Sequence, residues 1–192
     1  MGIIVGFKRA TFAQLDENDQ IVQDNIFTVD GVDGKGATRE ATIAGLSAEA
    51  SKVFGSDVAY YVSQQGTGDV SVNFTILDLP EDLMNCAAGH TKHVDGFTLV
   101  GKNSKPPYMA VLLESENKNG EPVMLAAFKG KMSMGDVAFK TKEAGAYEPD
   151  PETMTMSCVA NKDGETLGKA IGADLVTKLR AYAFPGETLP EG

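Results

Sequence analysis

One stretch of alternating residues limits the folds open to this chain more than any other. In residues 70–77, large apolar side chains at Val70, Val72, Phe74 and Ile76 alternate with polar ones. This repeat at every second residue places the apolar side chains on one face of an extended strand. It excludes an amphipathic helix there, because a helix repeats at about 3.6 residues. The sequence therefore predicts a half-buried strand within a mainly antiparallel β protein.

Further strands are predicted from apolar runs that end in turn-forming residues. With the first, they cover residues 3–15, 20–29, 37–46, 58–64, 69–78, 97–100, 108–116, 123–134 and 153–160. Gly66-Thr67-Gly68 is predicted to close a hairpin between 58–64 and 69–78. Seven to nine strands with little helix predict a β-sandwich or barrel of two packed antiparallel sheets.

One or two short helices are predicted to flank these sheets. Residues 80–88 form the first, since Pro80 suits the first helical position, Asp78 is placed to cap it, and Gly89 is placed to end it. Residues 172–182 form a possible second helix, because their apolar side chains recur at helical spacing. An extended C-terminal segment is expected at about 183–192.

Segment 30–57 is predicted to be a long, flexible excursion around one weak strand. It begins with the turn-rich stretch 30–36, and residues 47–56 are mostly small and polar. Excursions of this length are uncommon in compact domains unless they have a purpose. No linker divides the 192 residues, so a single domain over 1–192 is expected.

The charge and the cysteines narrow the possible functions. A net charge of −10 argues against an electrostatic grip on nucleic acid, which requires clustered lysine and arginine. No apolar run approaches the length of a membrane span, and no signal peptide is visible. Cys86 and Cys158 are expected to be free thiols in a cytosolic protein, with a disulfide as the alternative.

The residues that carry chemistry are few. His90 and His93 lie three residues apart just after the first helix, with Cys86 before them. A zinc site would need a fourth ligand, so two solvent-facing histidines are the simpler interpretation. With only these two histidines, a serine or cysteine triad has few ways to form. We therefore expect no catalytic residue, no metal, no cofactor and no enzymatic activity.

The order of several motifs resembles the major tail protein family (tail tube proteins) of phages with long non-contractile tails. The resemblance extends from the start to about residue 160. It rests on Val5–Ala13, Val58–Val62, Gly66–Val70, Phe74–Pro80, Lys105–Ser115 and Ala127–Met132.

This resemblance implies a tail-tube fold with no catalytic residues. Family members form hexameric rings that stack into a hollow tube, through which DNA passes during ejection without specific binding. The implied partners are further copies of the chain and the tape measure, tail terminator and distal tail proteins, with no membrane. The implied location is the virion tail, after synthesis in the host bacterial cytoplasm. An acidic wall would repel DNA phosphates and suits such a lumen.

In a ring-forming subunit, we expect exposed sheet edges to be completed by neighbouring copies. We expect the excursion at 30–57 to become ordered against the next ring or the next subunit. Its charged side chains are the candidate inter-ring or inter-subunit contacts: Asp33, Lys35, Arg39, Glu40, Glu49 and Lys52. The alternatives are a ring or tube protein of a related injection machine, such as a secretion system or tail-derived bacteriocin, and a β-barrel that binds a small molecule.

Overall fold

The structure is a computed structural model that describes residues 4–141 and 150–187. Residues 142–149, between the strands predicted at 123–134 and 153–160, and residues 188–192 of the predicted C-terminal segment lie outside the described residues. The described residues contain twelve strands and two helices. In chain order these are β1 (Ile4–Leu15), β2 (Ile21–Val29), β3 (Ala37–Ala44), β4 (Ser51–Gly55), β5 (Val58–Ser63), β6 (Ser71–Leu77), α1 (Glu81–Ala88), β7 (Thr91–Lys92), β8 (Thr98–Leu99), β9 (Tyr108–Asn117), β10 (Pro122–Met134), β11 (Glu152–Cys158), β12 (Leu167–Ile171) and α2 (Ala173–Ala183).

Eight of the strands form one continuous antiparallel sheet. Its order is β2-β1-β9-β10-β11-β6-β3, and β12 branches from β10. Along one edge, β10 pairs first with β12 over Val123–Ala127 and then with β11 over Gly130–Met134. β10 therefore joins two limbs, β2-β1-β9 on one side and β11-β6-β3 on the other, which fold over each other as the two layers of a sandwich. The fork at β10 adds only the short strand β12.

A glycine makes the fork possible. The pairing of β10 with β9 shifts register between Ala127 and Gly130, where β10 bends. A Cβ atom on Gly130 would lie 2.6 Å from the carbonyl oxygen of Ser157 in β11. Only a residue without a side chain lets the two backbones approach so closely.

The main core lies between the two limbs and beside α1. It is filled by side chains from β1, β2, β6, β9, β10, β11 and α1. Phe12 from one limb packs on Phe74 from the other, and Leu83 of α1 is fully buried against them. A second core lies on the outer face of β1, β9 and β10, where α2 and the following Phe184 cover it.

The predicted fold class is confirmed: the protein is mainly β, with packed antiparallel layers and two short helices. The barrel form of the prediction is not observed. Within the described residues, β2 and β3 each have one hydrogen-bonded neighbour, so the sheet does not close.

The predicted hairpin between 58–64 and 69–78 is wrong. Instead, β5 pairs with β4, whose residues were expected to lack strand structure, and β6 lies between β11 and β3. The reason is the turn at Ser56 and Asp57, whose φ angles of 51° and 62° join β4 to β5 in a tight two-residue connection.

The ends of α1 follow the prediction in part. Gly89 adopts a left-handed conformation at φ 65° and ends the helix, as predicted. Pro80 occupies the N-cap position, and no side chain donates or accepts a capping hydrogen bond there. Asp78 is therefore not the cap, and its own φ is 53°.

Candidate interaction surface

The β4–β5 hairpin forms its own two-stranded sheet, separate from the main one. We call it the arm and define it as residues 51–63. Every residue of the arm is exposed. A two-stranded hairpin is marginally stable in water by itself, and three strands or packing against another element are normally needed. The arm is therefore a surface that lacks a covering layer.

Both faces of the arm are apolar. Residues directly opposite each other in the register share a face, so Val53 and Tyr61 lie on one side. Phe54 and Ala59 pair beyond a bulge at Tyr60 and lie on the other side. Phe54 is 67% exposed and Tyr60 is 84% exposed. A ribbon with a solvent face would alternate apolar and polar residues, so this pattern is typical of a strand pair covered on both sides.

The root of the arm is fixed by hydrogen bonds to two backbone carbonyls and by one close backbone approach. The amide of Gly68 donates to the carbonyl of Gly45 at 2.9 Å, and Gln64 Nε2 donates to the carbonyl of Ala48 at 2.7 Å. Gly45 has φ 75°, and a Cβ there would lie 2.2 Å from the carbonyl oxygen of Asp69. The chain leaves and re-enters the sheet at one closely packed point, so the position of the base of the arm relative to the sheet is fixed.

The six charged residues predicted for the excursion are all exposed, but they do not form one cluster. They fall into three groups: Asp33 and Lys35 in the loop before β3, Arg39 and Glu40 on β3, and Glu49 and Lys52 just before and at the start of the arm. The eight residues of β3 separate the first group from the last along the chain. Within the described part of the chain, none of these side chains forms an ion pair.

The two sheet margins are further unpaired surfaces. β2 has only β1 as a hydrogen-bonded neighbour, and β3 has only β6, in the residues that the structure describes. Among the described residues, no further strand pairs with the outer side of either strand, which is the arrangement of a sheet edge. Thr38 Oγ1 in β3 donates to the carbonyl of Phe7 in β1 at 3.0 Å, so the two limbs approach each other near these margins.

The structure places the residues considered for chemistry in ordinary structural roles. The ring of His93 stacks on Phe97 with centroids 4.3 Å apart, and Nδ1 of His90 lies 3.3 Å from the side-chain oxygen of Asn85. Across residues 4–141 and 150–187, no three His, Cys, Asp or Glu side chains are grouped to hold a metal ion. Cys86 and Cys158 are free, half-buried thiols.

Two surface cavities offer little room for a ligand. One, of about 160 Å³, is bordered by Lys8, Glu116 and Val176, and the other, of about 260 Å³, lies between Asp19, Phe128 and Tyr182. Small-molecule sites usually measure roughly 300–1,000 Å³. Neither helix among the described residues has the length and apolarity needed to cross a membrane.

The apolar side chains of the arm are the residues that sequence reasoning missed. The signal that could have found them is the run Val58–Val62, which is apolar at five consecutive positions without alternation. Such a run is typical of a strand covered on both faces. Within residues 4–141 and 150–187, no segment provides that cover, since every residue of the arm is exposed.

Comparison with known proteins identifies the family of the chain. A family model described as phage tail tube protein matches residues 1–178, which is nearly the whole chain. A search of curated proteins found no match.

Proposed function

Because the chain belongs to the phage tail tube protein family, we propose that its copies form hexameric rings that stack into the hollow tube through which DNA leaves the virion. Membership of the family gives a structural role in the phage tail, self-assembly into a tube, and contact with other tail components. The hexameric ring and the passage of DNA are the proposal.

The observation that carries the proposal is the arm with two apolar faces. Exposed apolar patches of this kind mark interaction sites in soluble proteins. In a tube, an arm that reaches between neighbouring copies becomes covered on both sides. Tyr61 on one face and Phe54 on the other would then be buried against different surfaces.

The open sheet margins support the same proposal. A strand edge of one copy can pair with an edge of the next, which extends the sheet around a ring. In the described part of the chain, β2 and β3 each lack a strand neighbour on their outer edge. Lys35, Arg39 and Lys52, with the acidic Asp33, Glu40 and Glu49, would then form charge pairs within or between rings.

The charge suits a conduit for DNA. The chain carries 27 acidic and 17 basic residues apart from histidine, which gives the net charge of −10. Stacked copies would line the lumen with negative potential and let DNA pass without adhering. We propose that the chain acts as one tail-tube unit over 1–192, without catalysis, and meets the tape measure, terminator and distal tail proteins at the tube and its ends.

Negative-stain microscopy and sedimentation of the purified protein at increasing concentration test the proposal. We expect rings and tubes of uniform diameter with sixfold end views. The double variant Phe54→Ser/Tyr61→Ser should stay folded and fail to form tubes, because both faces of its arm lose apolar area. The matched control Phe54→Leu/Tyr61→Phe keeps that area and should assemble. A protein that stays monomeric at high concentration, together with virions that lack it, would refute the proposal.

Charge reversal tests the excursion separately. Lys52→Glu is expected to weaken assembly and to make it more sensitive to salt, whereas Lys178→Glu, an equivalent change on exposed α2, should do neither. Equal effects of the two substitutions would show that net charge, and not contact at Lys52, controls assembly.

A further inference from the structure

Two turns of this protein share a sequence pattern and a hydrogen-bonding pattern. Residues 117–121, between β9 and β10, read Asn-Lys-Asn-Gly-Glu, and residues 161–165, between β11 and β12, read Asn-Lys-Asp-Gly-Glu. In each turn the fourth residue donates its amide to the carbonyl of the first, at 2.9 Å in one turn and 3.0 Å in the other. In sequence, the turns differ only at the third residue, which is Asn119 in the first and Asp163 in the second.

The side chain of the first residue holds each turn closed. Asn117 Oδ1 accepts hydrogen bonds from the amides of Asn119 and Glu121 at 2.8 and 3.0 Å. Asn161 Oδ1 accepts the equivalent two bonds at 3.0 and 2.9 Å. Asparagine is favoured in tight turns because its side chain bonds to backbone amides in this way. Since the second turn keeps all these bonds, an aspartate at the third position is compatible with the same backbone.

Asn119 is the one asparagine of the sequence that is followed by glycine. The backbone nitrogen after an asparagine can attack the side-chain carbonyl carbon, and glycine permits this most readily because it has no Cβ to obstruct the approach. Asn119 and Gly120 are both exposed. Among the described residues, no atom beyond the two chain neighbours lies within 4 Å of the position that a Cβ would take on Gly120. Water therefore reaches both reacting groups.

We propose that Asn119 is a deamidation site of the folded protein. The backbone nitrogen of Gly120 forms a bond with Cγ of Asn119, and the side-chain nitrogen leaves as ammonia with the proton from the Gly120 amide. Water then opens the five-membered imide to aspartate or isoaspartate. Each event replaces a neutral amide with a carboxylate, so each modified copy gains one negative charge. This inference goes beyond the proposed function, because the reaction requires only the folded subunit and water.

The turn sets the rate of the reaction. The amide of Gly120 donates to the carbonyl of Asn117 at 2.9 Å, so this hydrogen bond must break before the nitrogen can attack. The two hydrogen bonds to Asn117 Oδ1 hold the backbone in the conformation that favours it. The folded turn therefore slows deamidation relative to the unfolded chain without hiding Asn119 from water. Asn117 acts as a positioning residue.

The two products should affect the turn differently. Aspartate leaves the backbone unchanged, as Asp163 shows in the second turn. Isoaspartate passes the main chain through the side chain and lengthens it by one carbon. The pairing of Glu116 with Pro122 beside the turn should then lose its register. We expect the isoaspartate form to unfold at lower urea concentration, whereas Asn119→Asp should unfold at the wild-type concentration.

Peptide mapping by mass spectrometry tests the site. Wild-type protein is kept for weeks in warm, mildly alkaline buffer, and samples are digested at intervals. The peptide that contains Asn119 should gain about 1 Da, the difference between an amide and a carboxyl group, before any other asparagine reacts. In urea the same site should react roughly threefold to tenfold faster, the range expected when one net hydrogen bond is lost. If Asn119 stays intact in native protein while it reacts in urea, or if another asparagine reacts first, the proposal is overturned.

Two matched variants test the control by the turn. Asn117→Ala removes the side-chain acceptor from the turn that contains Asn119 and should speed its deamidation in native buffer. Asn161→Ala makes the same change in the second turn and should leave that rate unchanged. In urea, both variants and the wild type should react equally. Equal native rates for Asn117→Ala and Asn161→Ala would overturn the role of Asn117. The wild-type comparison of native buffer with urea tests the same point without a substitution, because equal rates there would show that the folded turn does not slow the reaction.

Discussion

The rings of Phe12 and Phe74 lie 5.2 Å apart, although three strands separate β1 from β6 in the sheet. Their contact exists because the limb β2-β1-β9 and the limb β11-β6-β3, joined by β10, fold over each other. Both side chains are at most 1% exposed. This pair therefore reports directly on whether the two layers are packed.

Phe74→Ala should lower the free energy of unfolding by about 3–5 kcal/mol, because it removes a large buried side chain and leaves a cavity between the layers. Urea unfolding followed by circular dichroism measures the change. Tyr60→Ala removes a ring of similar size from the exposed arm and should alter the stability of the monomer by less than about 0.5 kcal/mol. Similar losses for both variants would contradict the assigned core.

Gly45→Ala should displace the arm. The new Cβ would lie 2.2 Å from the carbonyl oxygen of Asp69. Alanine is also disfavoured at the φ of 75° that Gly45 adopts. Gly66 has a similar φ of 79° with nothing within 4 Å of its Cβ position, so Gly66→Ala isolates the conformational cost of about 1 kcal/mol. We expect the first variant to be clearly less stable than the second and to assemble poorly. Equal stabilities of the two variants would show that Gly45 is not closely packed against the backbone of Asp69.

Arg180→Gln should detach α2 from the sheet in part. Arg180 donates two parallel hydrogen bonds to Glu187, at 2.8 and 2.7 Å, and one to Glu114 in β9 at 3.0 Å. Hydrogen bonding to Glu187 raises the pKa of Arg180, so the guanidinium stays charged. Because the Glu187 side chain is only 8% exposed, leaving it without its cation should cost about 1.5–3 kcal/mol.

Arg9→Gln provides the comparison for Arg180. Arg9 lies 3.8 Å from the same Glu114 but is largely solvent-exposed, so its loss should cost less than about 1 kcal/mol. Arg180→Lys keeps the charge without the planar fork and should fall between the two. An equal effect of Arg9→Gln and Arg180→Gln on urea unfolding would refute the role given to Arg180.

Cys158 should react slowly in the native protein. Burial raises the pKa of its thiol from 9.0 to about 11. At pH 8 the reactive thiolate is then about 100-fold scarcer than in the unfolded chain. In a Cys86→Ser background, labelling by iodoacetamide should be slow without urea and fast with it. The raised pKa also means that this thiol supports stability below pH 9 and that the support is lost as pH rises from 9 to 11. A native rate that matches the unfolded rate would contradict this burial.

Local sequence patterns predicted most strands and the layered architecture. Alternation at Val72, Phe74 and Ile76 placed β6 correctly, and Gly89 marked the end of α1. These features depend on residues close together in the chain. The family resemblance came from the order of such motifs, and a match over residues 1–178 confirms it.

The partner of β5 could not be predicted in the same way. Val58–Val62 is apolar at every position, so no repeat indicates which neighbour it needs. Its true turn uses Ser56 at positive φ, a conformation that residues other than glycine, asparagine and aspartate adopt rarely. The nearby Gly66-Thr67-Gly68 is the stronger turn signal and pointed to the wrong pairing.

β10 belongs to both layers of the sandwich. It pairs with β9 of one layer between Pro122 and Lys131 and with β11 of the other layer over Gly130–Met134. Neither layer can melt while the other keeps its native shape, because both would lose the same central strand. The subunit should therefore denature in a single calorimetric transition. A half-melted copy, able to enter a growing polymer and weaken it, should scarcely be populated.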